Sequence, residues 1–261
     1  MAPTVPPPAR PCFVPGALPQ AVASAIWRGD QLGSPVEAVL SSGFAALDGQ
    51  LPGGGWPCHA LSEILSPQSG LLEWRLLGPL LRQVCAAGRS VVLVGPPKPP
   101  HLPGLRWDGL LAGQLIWVQA ETPAERLWSA EQLIRGNACG ALIAWLPQVR
   151  ADQIRRLQVL AAANEGPVFV CRPSAAARES SAAPLRVHAS VGPDWTLHID
   201  ILKRKGPPLE QTLRLLAVPG GLAPILTPRL RQPSRLLPRN EHHDVVVGPA
   251  DSRQQRHPVL P

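Results

Sequence analysis

The sequence predicts an α/β fold in which a parallel sheet is flanked by helices and extended by antiparallel strands on its C-terminal side. Short apolar runs alternate with helical segments through the middle of the chain, and such alternation is typical of a parallel sheet covered by helices. Beyond these runs the alternation stops, and three strand-like segments follow one another at 186–191, 195–206 and 211–218. A turn at 206–208 separates the last two, so we expect an antiparallel extension of the same sheet.

The folded region begins with a helical turn and a Gly-rich loop in residues 41–57, followed by a strand-like alternation in residues 58–66. From Gly70 to Ala87 apolar side chains recur every four positions, which predicts a helix. We expect a kink at Pro79, because proline removes an intrahelical hydrogen bond. Gly88 is the expected end of this helix.

Four continuous apolar runs follow, and each predicts a strand that is buried on both faces of a parallel sheet. They are residues 89–97, 114–120, 141–147 and 166–173. A further helix between the third and fourth runs is indicated by the apolar positions at 154, 157 and 160–161.

The helix between the second and third runs has the clearest boundaries. Thr122 is the expected N-cap, Pro123 fits the first helical position, and Glu125 completes a capping box. The helix is predicted to run to Arg135 and to end at Gly136.

Composition divides the chain into three parts. Seven prolines lie within residues 1–20, and the last thirty residues are rich in proline and arginine, which predicts poorly ordered arms on both sides of the fold. We expect a flexible N-terminal arm with one short helix (21–32) in residues 1–39, a folded core in residues 40–220 and a basic, Pro-rich tail in residues 221–261.

The net charge of +7 is compatible with a nucleic acid or an acidic partner, and equally with an arginine-rich, solvated surface. The five cysteines are scattered and form no C-x-x-C pair, which argues against a disulfide framework or zinc ribbon and favours a reducing cytoplasm. No secretory signal and no apolar run of membrane-spanning length is present, so we expect no membrane association.

The stretch from 47 to 77 carries a resemblance to the segment that opens the RecA ATPase core. The matching positions are Leu47-Asp48, Gly54-Gly55-Trp56-Pro57 and Glu63-Ile64. They are followed, where RecA-like ATPases have their phosphate loop, by Ser66, Pro67, Gln68, Ser69, Gly70, Leu71 and Leu72. The resemblance implies a RecA-like core.

Three departures from the ATPase motifs predict that this core does not hydrolyse ATP. No lysine stands at Leu71 or Leu72 to bind phosphate, and Glu73 would place a negative charge beside it. The strand at 89–97 ends in Gly-Pro-Pro instead of a water-orienting Glu, and Trp145 stands where the magnesium-binding Asp of the Walker B strand is expected. We therefore expect no cofactor, no catalytic residue and no metal site.

Segments 88–100, 122–145 and 198–208 also resemble the ImuA family, a catalytically degenerate RecA-like family, and the resemblance covers roughly residues 40–220. It implies an accessory role in SOS-induced, error-prone translesion DNA synthesis in the cytoplasm, at the nucleoid during DNA damage. The implied partners are RecA, an ImuB-type inactive Y-family polymerase homologue and an error-prone C-family DNA polymerase. A SulA-like inhibitor of the division GTPase FtsZ remains the alternative, and an active RecA-like ATPase is a third.

Two basic groups are candidate contacts for a partner or for DNA. The first is Lys203, Arg204 and Lys205, which follow a strand and precede a turn. The second is the set of tail arginines: Arg229, Arg231, Arg235 and Arg239. Protection of an edge strand by positive charge explains the first group equally well, and a solvated tail explains the second.

Overall fold

The computed structural model describes residues 38–235. The expected helix at 21–32 and Arg239 therefore lie outside the described residues. The strands are β1 (Val39–Leu40), β2 (Trp56–Pro57), β3 (Leu61–Ser66), β4 (Val91–Val94), β5 (Leu115–Val118), β6 (Ala141–Trp145), β7 (Val168–Pro173), β8 (Leu185–Val191), β9 (Thr196–Lys203) and β10 (Leu213–Leu216). The helices are α1 (Ala45–Asp48), α2 (Leu72–Ala86), α3 (Leu102–Trp107), α4 (Pro123–Arg135) and α5 (Ala151–Ala161).

Eight strands form one sheet in the order β10-β9-β8-β3-β7-β6-β4-β5. All pairings from β8 to β5 are parallel, and β9 and β10 extend the sheet with antiparallel pairings. The predicted α/β class, with a parallel core and antiparallel strands added by the C-terminal part, is confirmed.

Helices cover both faces of the parallel part. One apolar cluster joins β3 to α2 and α3 through residues such as Ile64, Leu76 and Leu105. The other cluster joins the opposite face to α4 and α5 through residues such as Leu61, Leu127 and Leu157. Because neighbouring residues of β3 point to opposite faces, Glu63 lies on the α4/α5 side and Ser66 on the α2 side.

Local signals in the sequence predicted several elements accurately. The capping box of Thr122 and Glu125 is present at the start of α4, and Gly136 is its C-cap. Helix α2 continues through Pro79 and ends at Ala86, just before Gly88 as expected. The kink expected at Pro79 stays a prediction. Helix α3 was not predicted, since its six residues are too few to show a periodicity.

Strand β5 corrects one expectation. Its apolar run predicted burial on both faces, but β5 is the edge strand of the sheet, with Ile116 46% and Trp117 39% exposed. An apolar run identifies a strand but not the strand's place in the sheet order, which depends on the crossover connections.

The first part of the predicted tail packs against the fold. Residues 222–235 form turns, and the indole N–H of Trp195 donates to the carbonyl oxygen of Leu230 at 2.9 Å. Ser234 donates its backbone N–H and its hydroxyl to Asp194. No helix within residues 38–235 has both the length and the apolarity needed to cross a bilayer.

Candidate functional site

The loop between β3 and α2 lies at the carboxyl end of a central strand, the edge at which open α/β sheets bind ligands. Ser66 ends β3 and is buried, Pro67 and Gln68 are exposed, and Ser69 is half-buried. Gly70 has a φ of +89°, a conformation in which other residues are strained.

The two leucines at the lysine position have different surroundings. Leu71 is 55% exposed, whereas Leu72 is 2% exposed and packs in the apolar cluster beneath α2. Neither side chain presents a polar group to the loop. The loop therefore contains no side-chain cation at the position where a phosphate loop places its lysine.

The carboxylate of Glu73 occupies the loop instead. One of its oxygens accepts the backbone N–H of Gly70 at 2.8 Å, and the other accepts the hydroxyl of Ser66 at 3.4 Å. Glu73 is 1% exposed, and burial raises the pKa of its carboxyl, while these hydrogen bonds lower it to a smaller extent. The donors of the loop are thus occupied by a side chain of the protein itself.

Trp145 provides a further donor from another strand. It ends β6, and its indole N–H donates to Glu73 at 3.4 Å. Its ring lies 6.1 Å from that of Trp74, between ring centres. The residue at the position expected for a magnesium-binding Asp therefore contacts the carboxylate of the loop, a role that the sequence reasoning did not identify.

The proline pair after β4 packs against the same loop. A Cβ atom placed on Gly70 would lie 2.6 Å from Cγ of Pro97, closer than side chains approach one another. Gly95, with a φ of +56°, turns the chain out of β4 next to Arg126 of α4. Of this Gly-Pro-Pro ending, the ring of Pro97 packs against the loop at Gly70.

A second buried carboxylate lies on the opposite face of β3. Glu63 is fully buried between Arg172 of β7 and Arg186 of β8, at 2.9 Å and 2.5 Å. Arg172 also pairs with Glu179 at 2.5 Å, and Arg186 donates to the carbonyl oxygen of Ala176 at 2.7 Å. This ion cluster joins the three central strands to the turn at Ser174–Arg178.

The basic candidates have intramolecular contacts. Lys203 donates to the carbonyl oxygen of Ser181 at 2.8 Å. Arg204 donates to the carbonyl oxygens of Pro207 and Gln50 and is half-exposed, whereas Lys205 is exposed. Arg204 therefore has a structural role in linking β9 to the Gly-rich loop region.

The tail arginines within the described residues are exposed. Arg231 donates to carbonyl oxygens of its own turn, those of Leu226 and Ala223. The hydrogen bonds from Ser234 lower the pKa of the Asp194 carboxyl, and the nearby Arg235 lowers it to a smaller extent. Within residues 38–235, the hydrogen bonds of Lys203, Arg204 and Arg231 go to parts of the fold other than the Glu73 loop.

A Ser–His–Asp chain was also not predicted from the sequence. His188 of β8 lies 2.9 Å from the hydroxyl of Ser174 through Nε2 and 3.4 Å from Asp200 through Nδ1. Asp200 also accepts the hydroxyl of Thr212 at 2.5 Å. The imidazole of His188 thus bridges the Ser174 hydroxyl and the Asp200 carboxyl through its two ring nitrogens. The chain connects β8, β9 and the turn after β7.

The first helical turns of α4 and α5 border a cleft of about 490 Å³. Its lining includes Glu121, Arg126, Leu146, Arg150 and Gln153. Arg126 donates to the carbonyl oxygen of Ala120, and Arg150 pairs with Asp152, so both guanidinium groups have partners within the fold.

Comparison with known proteins gives no family assignment. A scan against protein-family models finds no family that matches the chain, and a search among curated proteins finds no similar sequence.

Proposed function

We propose that this protein is a non-catalytic relative of the RecA core that acts by binding partners, as an accessory protein of SOS-induced, error-prone translesion DNA synthesis. The observation that carries the proposal is the position of Glu73, whose carboxylate lies at the loop where a RecA-like ATPase would bind phosphate. A carboxylate at this position repels a triphosphate. Phosphoryl transfer also requires a lysine and a metal-binding Asp, and Leu71, Leu72 and Trp145 supply neither.

The proposed partners follow from the resemblance to the ImuA family: RecA, an ImuB-type polymerase homologue and an error-prone C-family polymerase. Several large apolar side chains are exposed on different elements of the fold, without forming a single patch that would identify a binding surface. Examples are Trp107 at 67%, Trp128 at 63% and Leu216 at 68%. The same proposal includes action at the nucleoid and direct contact with DNA, for which the candidates are Lys203, Lys205 and the tail arginines.

Nucleotide assays test the non-catalytic half of the proposal. We expect no ATP hydrolysis by the full-length protein above that of a buffer blank, with single-stranded DNA present or absent and RecA as the positive control. We also expect no thermal stabilisation by Mg-ATP or Mg-ADP. DNA-stimulated hydrolysis by the purified chain would contradict this half.

A pull-down from damage-induced cells tests the partners. The bait is the full-length chain, compared with a truncation after Arg235, where the described fold ends. We expect recovery of RecA and the polymerase partners by the full-length bait, and loss of at least one partner if the tail binds it. Recovery of the division GTPase alone would support the SulA-like alternative, and recovery of neither set would contradict both.

A further inference from the structure

A second cleft lies between the sheet edge at β10 and the turns that follow this strand. Its volume is about 550 Å³, which is in the range of sites that bind small ligands or the side chains of a peptide. Leu216 and Val218 line it from the strand side, and Leu226 and Arg231 line it from the turns.

Hydrogen bonds hold these turns to the sheet. Trp195 and Asp194 bind the turns from the sheet side. Arg231 donates to the carbonyl oxygens of Leu226 and Ala223 within the turns. The cleft is therefore fixed by the fold and is not formed by a loose end of the chain.

The lining on the strand side is apolar and open to water. Leu216 is 68% exposed, and Val218 is half-buried. Leu226 is half-buried on the other side of the cleft. An apolar side chain that entered the cleft would remove part of this lining from water, which is a source of binding free energy.

The charges around the cleft are mainly positive. Arg231 lines it, Arg235 lies near Asp194, and the exposed Arg214 lies on the same face of β10 as the leucine of the lining. Asp194 also lines the cleft, but both of its oxygens already accept hydrogen bonds from the turns. Arg231 donates to its two carbonyl oxygens through Nε and Nη2, and a guanidinium has further N–H groups that can donate to a carboxylate.

We propose that this cleft binds a short acidic peptide segment of a partner protein, with an apolar side chain against Leu216 and carboxylates beside Arg214 and Arg231. Charge complementarity favours an acidic segment over a basic one. A nucleic acid fits less well, because the lining that the structure describes includes no aromatic ring on which a base could stack. The inference adds a site to the proposed binding role and does not depend on which partners that role involves.

The chain itself contains a competing occupant. Leu236 and Leu237 follow Arg235 directly in the sequence, so they are within reach of the cleft. Arg239 comes two residues later, and the arginines of the cleft would repel it. The charge therefore favours an acidic segment from another protein.

The experiment measures the fluorescence anisotropy of labelled peptides mixed with the purified full-length chain. The peptides carry two leucines at different spacings between Glu-Asp flanks. Matched peptides carry serines in place of the leucines, or lysines in place of the acidic residues. We expect acidic leucine peptides to bind, and both kinds of matched peptide to bind at least about tenfold more weakly. The affinity should fall as the salt concentration rises.

Two variants test the position of the peptide. Leu216→Glu should lower the affinity at least about tenfold, because it places a carboxylate in the apolar lining. Leu111→Glu is its matched control, since Leu111 is 60% exposed and precedes β5 at the opposite edge of the sheet. Arg214→Gln should lower the affinity about threefold, as expected for an exposed ion pair, whereas Arg106→Gln on α3 should leave it unchanged.

Binding of no peptide by the natural chain, or equal affinities of Leu216→Glu and Leu111→Glu, would overturn the inference. Three other results would also overturn it by assigning the cleft to a different occupant. Peptide binding that requires Leu236→Ser and Leu237→Ser would assign it to the chain's own leucines. A dimer in sedimentation velocity that dissociates in Leu216→Glu would assign it to a second copy. An oligo(dT) strand that binds more tightly than every peptide, and is lost in Leu216→Glu, would assign it to a nucleic acid.

These results are separate from those that test the proposed function. The peptide assay contains only the purified chain and synthetic peptides, whereas the nucleotide assays and the pull-down examine ATP and the cellular partners. Either inference can therefore fail while the other stands.

Discussion

The two buried carboxylates of the central strand region differ in what surrounds them. Glu63 lies between two arginines, at 2.9 Å and 2.5 Å, whereas Glu73 has only hydrogen-bond donors without formal charge. Their exposed fractions are nearly identical, at 0% and 1%. Burial alone therefore does not determine whether a carboxylate forms ion pairs or only hydrogen bonds to uncharged donors.

The difference separates a buried ion cluster from a buried carboxyl that is held by uncharged donors. The arginines at Glu63 come from the strands on either side of β3, so the cluster holds these strands together. The donors at Glu73 come from β3, from the loop after it and from β6, so they fix the loop to the carboxyl end of the sheet. The following variants test whether the two sites respond as differently as their surroundings predict.

The largest effect is expected for Glu63→Gln. It leaves Arg172 and Arg186 buried without their shared carboxylate, which should lower the free energy of unfolding by about 3–5 kcal/mol. Urea denaturation measures the loss. Glu165→Gln is the matched control, because Glu165 and its partner Arg89 are 65% and 41% exposed, so the pair should contribute about 1 kcal/mol or less. Equal losses in both variants would contradict the structural role assigned to Glu63.

A smaller effect on stability, and one that changes with pH, is expected for Glu73→Gln. Burial raises the pKa of Glu73 above its ordinary value of 4.5, so the folded state retains this proton to a higher pH than the unfolded state does. The stability of the natural protein should therefore fall as pH rises from about 4.5 through the raised pKa, and then level off.

The amide of Glu73→Gln does not titrate, so the variant should gain stability relative to the natural protein across that window. The difference in the free energy of unfolding between the two proteins, measured by urea denaturation at successive pH values, isolates Glu73 from the other carboxylates. A difference that is constant with pH, or that changes in the opposite direction, would contradict the raised pKa.

The variant Trp145→Phe should cost about 1–3 kcal/mol, because it removes one donor to the carboxylate and leaves a cavity where the larger indole ring was buried. Since the indole hydrogen bond lowers the pKa of Glu73, its removal should move the decline in stability to higher pH. Glu73→Gln serves as the reference that does not titrate. If the decline in stability of Trp145→Phe begins at the same pH as in the natural protein, the indole does not contact the carboxylate.

The smallest effect is expected for Ser66→Ala. Its hydroxyl is 3.4 Å from Glu73, a long hydrogen bond that should contribute about 0.5 kcal/mol. Ser62→Ala, in the same strand, is the control, because the Ser62 hydroxyl has no hydrogen-bond partner in the described residues. A cost of Ser66→Ala above that of Trp145→Phe would reverse the order assigned to these donors.

Local sequence patterns predicted where the helices and strands lie better than they predicted what each element packs against. The capping box at Thr122 involves residues three positions apart, so the sequence displays it directly. The edge position of β5 depends on which strands become neighbours, and an apolar run carries no such information.

The same limit applies to the site. The absence of the phosphate-binding lysine was visible at Leu71 and Leu72, and Glu73 was identified as a negative charge beside the loop. Its contact with Trp145 spans 72 positions in the chain and arises only when β3 and β6 enter the same sheet. The Ser174–His188–Asp200 chain likewise depends on strand pairing, since His188 and Asp200 are cross-strand neighbours in β8 and β9.

The exposed edge of β5 has a consequence for handling the protein. In residues 38–235 no strand pairs with its outer side, and the strand, Leu-Ile-Trp-Val, carries no charge. Edges of this kind recruit further strands and promote self-association when no charge or bulge prevents it. We therefore expect the isolated chain to precipitate as its concentration rises during purification. The variant Ile116→Lys should raise the yield of soluble protein. Co-expression with a partner that covers this edge should have the same effect.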